Sequence, residues 1–393
     1  MRLLRYPAFL AACLGHLCVD LLNGQVGVLL AALSVTLALT NEDIGRIVMM
    51  YSMLGSLTQP FFGWLADKDG GRWTAGGGVV WMGLGYALFA VLPAEWALLA
   101  LIIAAAGSGA FHPPGAATAA RVGAVGLAGQ AATAASIFFL FGQIGLSAGP
   151  RLSGDIFERF GRSGVLGLAA FVLPIGLYAL WALRGATGVS RIAASPIHRT
   201  DGSLWLLALV LVISGLRVWA QTNITTFAPK YFHELGLSPG AYGTIVMMFM
   251  AGASVGGVIG SALADRWNYA FTAIACIALS VAPLFTFPSV SGLWVWVVAF
   301  GAGLFNGGPH SILVTMAQRT MPSRAGFASG LILGTQFAIG ALGTYLTGLL
   351  ADRTGLAFAL QTNAALSLIA MVLSFGLLWK TRVPSAEALA PAD

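Results

Sequence analysis

The sequence predicts an all-α polytopic membrane protein, twelve transmembrane helices in two pseudo-symmetric six-helix bundles, on three observations. The 393-residue chain is 58% hydrophobic and 9% charged, with a mean hydropathy of +0.85, and so has too few polar side chains to cover a soluble surface. Apolar stretches of about 20 residues, enough to cross roughly 30 Å of hydrocarbon, recur along nearly all of it. The rare polar residues also repeat: His112 and His310 lie 198 positions apart, as do Asp67 and Asp265, and Arg121 and Arg319.

Polar or Pro/Gly signals bound twelve such stretches, at 8–38, 44–66, 74–92, 96–120, 130–153, 164–183, 204–228, 240–264, 271–287, 292–317, 327–350 and 357–380. Runs this long and continuously apolar exclude barrel strands, which leaves the helix as the structure that satisfies its own backbone in lipid. The first run follows Arg2 and Arg5 and is too long for a signal peptide, so it reads as an uncleaved helix. The polar interruption from Arg184 to Ser203 divides the chain into an N-terminal bundle at 1–184, a cytoplasmic linker at 185–203, a C-terminal bundle at 204–382 and a disordered tail at 383–393. With both termini cytoplasmic, thirteen Lys and Arg flank the helices inside and six outside, the bias that sets orientation. That asymmetry accounts for the net charge of +6 without nucleic acid, for which no basic arm or stacking platform exists. Cys13, Cys18 and Cys276 lie within predicted helices without metal-ligand spacing and read as apolar filling.

Each half repeats internally. Asp67 to Asp155 spans 88 residues and Asp265 to Asp352 spans 87, so each half divides into two three-helix units. Nested repeats with a binding site between the halves at mid-membrane are the architecture of alternating-access transporters. No nucleophile, base and oxyanion arrangement suits any helix, so an enzyme is not expected.

Three motifs carry a resemblance. The loop after the second stretch reads Gly63-Trp64-Leu65-Ala66-Asp67-Lys68-Asp69-Gly70-Gly71-Arg72, and its echo, Gly260 through Asp265 and Arg266, stands at the matching loop of the second half. The fifth stretch holds Gly145, Gly149, Pro150, Ser153 and Gly154, and the fourth holds Gly107-Ser108-Gly109 followed by Phe111-His112-Pro113. The loop pair resembles the signature of the major facilitator superfamily, and the fifth stretch resembles the motif of its proton-coupled antiporters. The fourth is similar to the Phe-His-Pro-Glu-Ala segment of the fosmidomycin-resistance branch, whose likeness continues through Met316-Ala317-Gln318 and Gly348 to Arg353. The acidic residue of that branch is Pro114 here. The resemblance implies a monomeric transporter of the bacterial inner membrane, most naturally an efflux antiporter for a small drug-like or anionic solute, with proton-coupled import of an organic anion as the alternative. It needs no cofactor beyond the proton gradient. Asp67, Lys68, Arg72, Asp265 and Arg266 are then expected to form a conformational gate together with Gly149 and Pro150, where small residues bring helices close and proline bends them.

Charged and polar residues inside the membrane mark the expected site. His16, Asp20 and Asn23 fall on one face of the first helix. Asp20 and His16, with His112, are the candidate proton carriers. Arg217, nearly symmetric to Asp20 at 197 residues' distance, offers a planar five-donor fork for an anion and is also the candidate ion-pair partner of Asp20. His112 and His310 adjoin Pro113 with Pro114 and Pro309, where the fourth and tenth helices are expected to break or kink. Asn23, Gln143, Asn306 and Gln336 complete the candidate substrate-binding set with Arg217, His112 and His310. No metal is expected, because His112 and His310 have no carboxylate or Cys beside them in sequence.

Overall fold

The computed structural model describes residues 3–69, 71–126, 131–184, 204–321 and 325–378. Its long helices follow the twelve stretches. They are α1 (Pro7–Leu33), α2 (Asn41–Leu57 continued by Gln59–Asp69), α3 (Gly77–Val91), α4 (Ala94–Gly126), α5 (Ala131–Phe160) and α6 (Val165–Ala182). The second half follows with α7 (Leu204–Glu234), α8 (Pro239–Arg266), α9 (Tyr269–Thr286), α10 (Trp294–Gly307 continued by His310–Thr320), α11 (Ala325–Thr354) and α12 (Leu356–Leu378). No strand occurs among the described residues. Eleven of these helices are long and apolar enough to span a membrane. The other, α2, is interrupted at Thr58, two residues before Pro60, which has no N–H to donate back to the Ser56 carbonyl.

Besides the interruption at Thr58, helix breaks fall at two chemically distinct places. Gln25 divides α1 beside Gly24, where a side chain would strike the Leu146 carbonyl 2.6 Å away. Pro309 divides α10 and makes His310 the first residue of the second piece. The expected break in the fourth helix is absent, since α4 runs unbroken through Pro113 and Pro114. Membrane helices tolerate internal proline where neighbours and side chains re-satisfy the backbone. Gly107 lets α4 close against the Gly78 backbone, and His112, just ahead of the prolines, is held to its own helix by donating to the Ser108 carbonyl at 2.8 Å.

The halves meet along α5 with α8 and along α2 with α11, and both seams are latched at one end by the same device. At the start of α2, Asp352 accepts from the backbone N–H groups of Asn41 at 2.9 Å and Glu42 at 2.8 Å. At the start of α8, Glu158 accepts from the Gly240 N–H at 3.0 Å. Each carboxylate thus caps the positive N-terminus of a helix belonging to the other half. Sequence explains the symmetry: Leu39-Thr40-Asn41-Glu42-Asp43-Ile44-Gly45 matches Leu237-Ser238-Pro239-Gly240-Ala241-Tyr242-Gly243, and Glu158-Arg159-Phe160-Gly161 matches Asp352-Arg353-Thr354-Gly355. Gly154 and Gly348, one turn before each carboxylate, lie against the backbone carbonyls of Pro239 and Asn41. A Cβ there would force the helices apart. Arg151 reinforces the α5–α8 seam by pairing with Asp155 at 2.7 Å and donating to the Gly240 carbonyl at 3.2 Å.

Neutralising the two caps together, as Glu158→Gln with Asp352→Asn, is expected to raise the labelling rate of a reporter cysteine placed at this end by about fivefold or more, the scale of one to two lost caps. Unchanged labelling in a cysteine-free background would show that the seams close without them.

Candidate functional site

The polar residues of the membrane interior gather into two clusters, one per half. In the N-terminal half Asp20 lies at the centre, 3.2 Å from His16 Nε2 and 3.4 Å from His112 Nε2. Asn23, one turn along α1, donates to Asp20 Oδ1 at 3.0 Å and to Ser108 Oγ at 3.1 Å. The Tyr51 hydroxyl donates to Asn23 Oδ1 at 2.8 Å, and Tyr86 fastens the same region by donating to the Leu22 carbonyl at 2.6 Å. His16 is buried, stacks on Phe138 with ring centroids 4.1 Å apart, and donates from Nδ1 to the Phe138 carbonyl at 2.8 Å. Asp20 and His112 retain partial exposure, 13% and 25% of their side chains, so this cluster is reachable from one side.

In the C-terminal half the centre is a cation. Arg217 donates through Nη1 to Gln221 Oε1 at 3.0 Å and to the Asn306 carbonyl and side-chain oxygens at 3.2 and 3.3 Å. Its Nη2 lies 3.1 Å from His310 Nδ1. A guanidinium has only donors, so Nδ1 accepts and the His310 proton resides on Nε2. Asn306 returns a bond to the Arg217 carbonyl at 3.3 Å, which fixes the guanidinium against α10. No carboxylate lies within ion-pair distance of Arg217 among the described residues, although the residue is 4% exposed and its Nε has no partner.

These clusters occupy equivalent places in the repeat. Asp20 and Arg217 are 197 positions apart, while Asn23 with Gln221, Ser108 with Asn306 and His112 with His310 are each separated by 198. One scaffold therefore presents an anion in one half and a cation in the other, each set among the same three helix positions. The candidate pairing of Asp20 with Arg217 does not occur: each ion makes its hydrogen bonds within its own bundle. His112 likewise joins His16 and Asp20, and His310 joins Arg217.

The remaining expected residues divide. Gln143 accepts from Ser254 at 2.8 Å across the α5–α8 seam, and Gln336 accepts from Ser214 at 2.7 Å, so both bridge helices. Gly149 lies against the Leu21 carbonyl, and the Pro150 carbonyl lies against Gly243, which places this motif on the seams of α5 with α1 and α8. Asp67 and Lys68 are exposed at the end opposite the latches, and Lys68 covers the Trp64 ring. Arg72 donates to the Leu180 carbonyl at 2.9 Å within its own half, while Asp265 accepts from Tyr269. Gly71 takes a left-handed φ of +81° with Pro114 3.0 Å from where its Cβ would stand, so the proline that replaces the acid of the resembled branch packs under the loop. Tyr51 and Glu158 carry no such signal in the sequence; Ser108 stands there only within the Gly107-Ser108-Gly109 motif, and its 198-residue offset from Asn306 is the signal of its place in the cluster.

The sequence model of the Major Facilitator Superfamily matches residues 12–344 and 207–392. The chain belongs to this superfamily. It is 27% identical over 375 residues to the "Fosmidomycin resistance protein" of Escherichia coli (strain K12), covering 93% of this chain and 91% of that one. It is 24% identical over 365 residues to an uncharacterized MFS-type transporter, YfnC, of Bacillus subtilis (strain 168), covering 89% and 88%. Among solved structures, a bacterial homologue of the human lysosomal transporter Spinster superposes with a TM-score of 0.79 at 16% identity, over 96% of this chain and 98% of the other. A mutant of the nucleoside transporter NupG gives 0.77 at 12%, over 94% and 99%. The fold is that of membrane transporters of this superfamily, and the protein is a transporter rather than an enzyme.

Gly142 supplies a direct check on the N-terminal cluster, because a methyl group there would sit in the His16 ring. Gly142→Ala is expected to cut transport several-fold with expression intact, since a close-packed interior has no slack for the added atom. Gly167→Ala, with nothing within 4 Å of its added carbon, is expected to leave transport unchanged.

Proposed function

We propose that this transporter works by alternating access, exporting a small anionic organic solute in exchange for protons. The observation that carries the reading is Arg217, a buried cation hydrogen-bonded only to neutral groups. Burying an ion without a counter-charge costs several kcal/mol, and an anionic cargo offsets that cost whenever it binds. Its bidentate geometry suits a carboxylate or phosphonate. His310 adds an Nε2–H donor beside it.

Proton exchange falls to Asp20 with His16 and His112. Two imidazoles against one carboxylate can hold or release protons without moving any charge far through lipid. With both termini cytoplasmic, the latched end faces outward and the halves are held together on that side, as suits an exporter that loads its cargo from the cytoplasm. Asp67, Lys68, Arg72, Asp265 and Arg266 then stand at the opposite end, where they would close the other state. A single chain supplies both centres in this reading, within the bacterial inner membrane. Inward symport of an anion uses the same two centres, and Pro114, in place of the acid of the resembled branch, favours it to the extent that export in that branch depends on the acid.

Fosmidomycin, an anionic phosphonate that figures in the name of the Escherichia coli relative, is the first cargo to test. In inside-out vesicles with an acidic lumen, wild type is expected to accumulate it, and Arg217→Ala and Asp20→Asn are expected to reduce accumulation at least tenfold, the scale of a lost buried charge contact. Accumulation unaffected by both variants would overturn the roles given to these centres. Flux that runs only with the gradient reversed would establish the symport reading.

A further inference from the structure

We infer that His16, Asp20 and His112 form a binding site for a first-row divalent transition-metal ion of the zinc type. The three residues bring an imidazole nitrogen, a second imidazole nitrogen and a carboxylate oxygen within 4.8 Å of one another. In sequence the partner of His112 in the repeat is His310; in the structure the histidine beside it is His16 from α1.

Ring orientation turns this proximity into a site. His16 donates from Nδ1 to the Phe138 carbonyl and His112 from Nδ1 to the Ser108 carbonyl, each at 2.8 Å. A carbonyl only accepts, so both rings carry a proton on Nδ1. In the neutral form each Nε2 is then a bare lone pair, and both lone pairs face Asp20 at 3.2 and 3.4 Å. Three acceptors turned on one another repel unless something positive lies among them. Backbone anchoring of the distal nitrogen is also how metal-ligating histidines are held, since it fixes both tautomer and ring plane. Asn23 orients the carboxylate in the same way through Oδ1.

The spacing suits a small ion. Bonds of about 2.0–2.1 Å from a tetrahedral zinc to nitrogen and oxygen place neighbouring ligand atoms about 3.3 Å apart; His16 Nε2 stands 3.2 Å from Asp20 Oδ2 and His112 Nε2 3.4 Å from Asp20 Oδ1, with one ligand atom from each residue within 4.8 Å of the others. Two imidazoles and one carboxylate are borderline ligands that select zinc, nickel, cobalt or copper over magnesium and calcium. The rings cannot swing away: His16 is clamped on Phe138 and lies edge-on to His112 with centroids 5.1 Å apart and planes at 88°. Partial exposure of His112 and Asp20 leaves room for a water or a cargo atom as a further ligand. A metal ion and protons use the same lone pairs, so a bound ion excludes proton loading at this triad.

Purified full-length protein without a histidine tag would be titrated with cobalt(II), followed by visible d–d absorption, and with zinc in competition. The expected result is one cobalt per chain with the intense absorption of a four- or five-coordinate ion, displaced by zinc, and weakened at least tenfold in both His16→Gln and His112→Gln. His233→Gln, at a histidine outside the triad, is expected to bind as wild type does. Absence of the absorption, or binding that survives both triad substitutions, would overturn the site. The readout involves no cargo or flux, so failure here leaves the anion-transport reading standing, and failure of transport leaves this one standing. Circular dichroism of each variant separates a lost ligand from a lost fold.

Discussion

The structure depends on keeping two buried ions of opposite sign apart. Asp20 and Arg217 occupy equivalent repeat positions in opposite halves, and direct pairing would have joined the bundles through the middle of the membrane. Instead Asp20 is held by two imidazoles and an amide of its own bundle, and Arg217 by two amides, a backbone carbonyl and an imidazole of its own. Each half can then move as a body without breaking an ion pair in a medium where an unpaired charge is costly. The unsatisfied charge of Arg217 becomes binding energy for a cargo rather than a permanent cross-link.

Closure at one end relies on different chemistry. Helix N-termini offer unpaired N–H groups and partial positive charge, and Asp352 and Glu158 meet them from the opposite half. Such caps are solvent-accessible and individually weak, which suits a contact that must release in every cycle. Close backbone approach at Gly154 and Gly348 makes the contact depend on position. A small rotation loses both hydrogen bonds and packing, so the seam has two arrangements rather than a continuum. The cluster chemistry at mid-membrane and the caps at the end therefore divide the work of recognition and closure.

Much of this was legible before any coordinates. Apolar run length gave the helices and the 198-residue repeat gave the two halves, because the bilayer imposes length and gene-scale duplication leaves rare residues in register. The repeat even located His112, His310, Asp20 and Arg217. It could not say which partners they choose, since spacing within one helix is fixed by geometry but distance between helices is set by packing. His16 was placed near Asp20 by its i, i+4 relation, whereas its approach to His112 depends on Gly142 and Phe138 of α5. The same holds for the fourth helix: proline in isolation predicts a break or kink, and α4 runs unbroken through Pro113 and Pro114 among its packed neighbours. The latches escaped notice because Glu158 and Asp352 read as ordinary helix-end charges until the partner N-termini are placed against them.

Calorimetric titration of fosmidomycin and of methylphosphonate into wild type and Arg217→Gln tests the central claim most directly, because it asks whether the unpaired cation is the anion anchor. Saturable binding to wild type with at least thirtyfold weakening in Arg217→Gln, the range for truncating one side of a buried charge contact, is the predicted result. Binding of equal strength to both proteins, or to neither, would contradict the account.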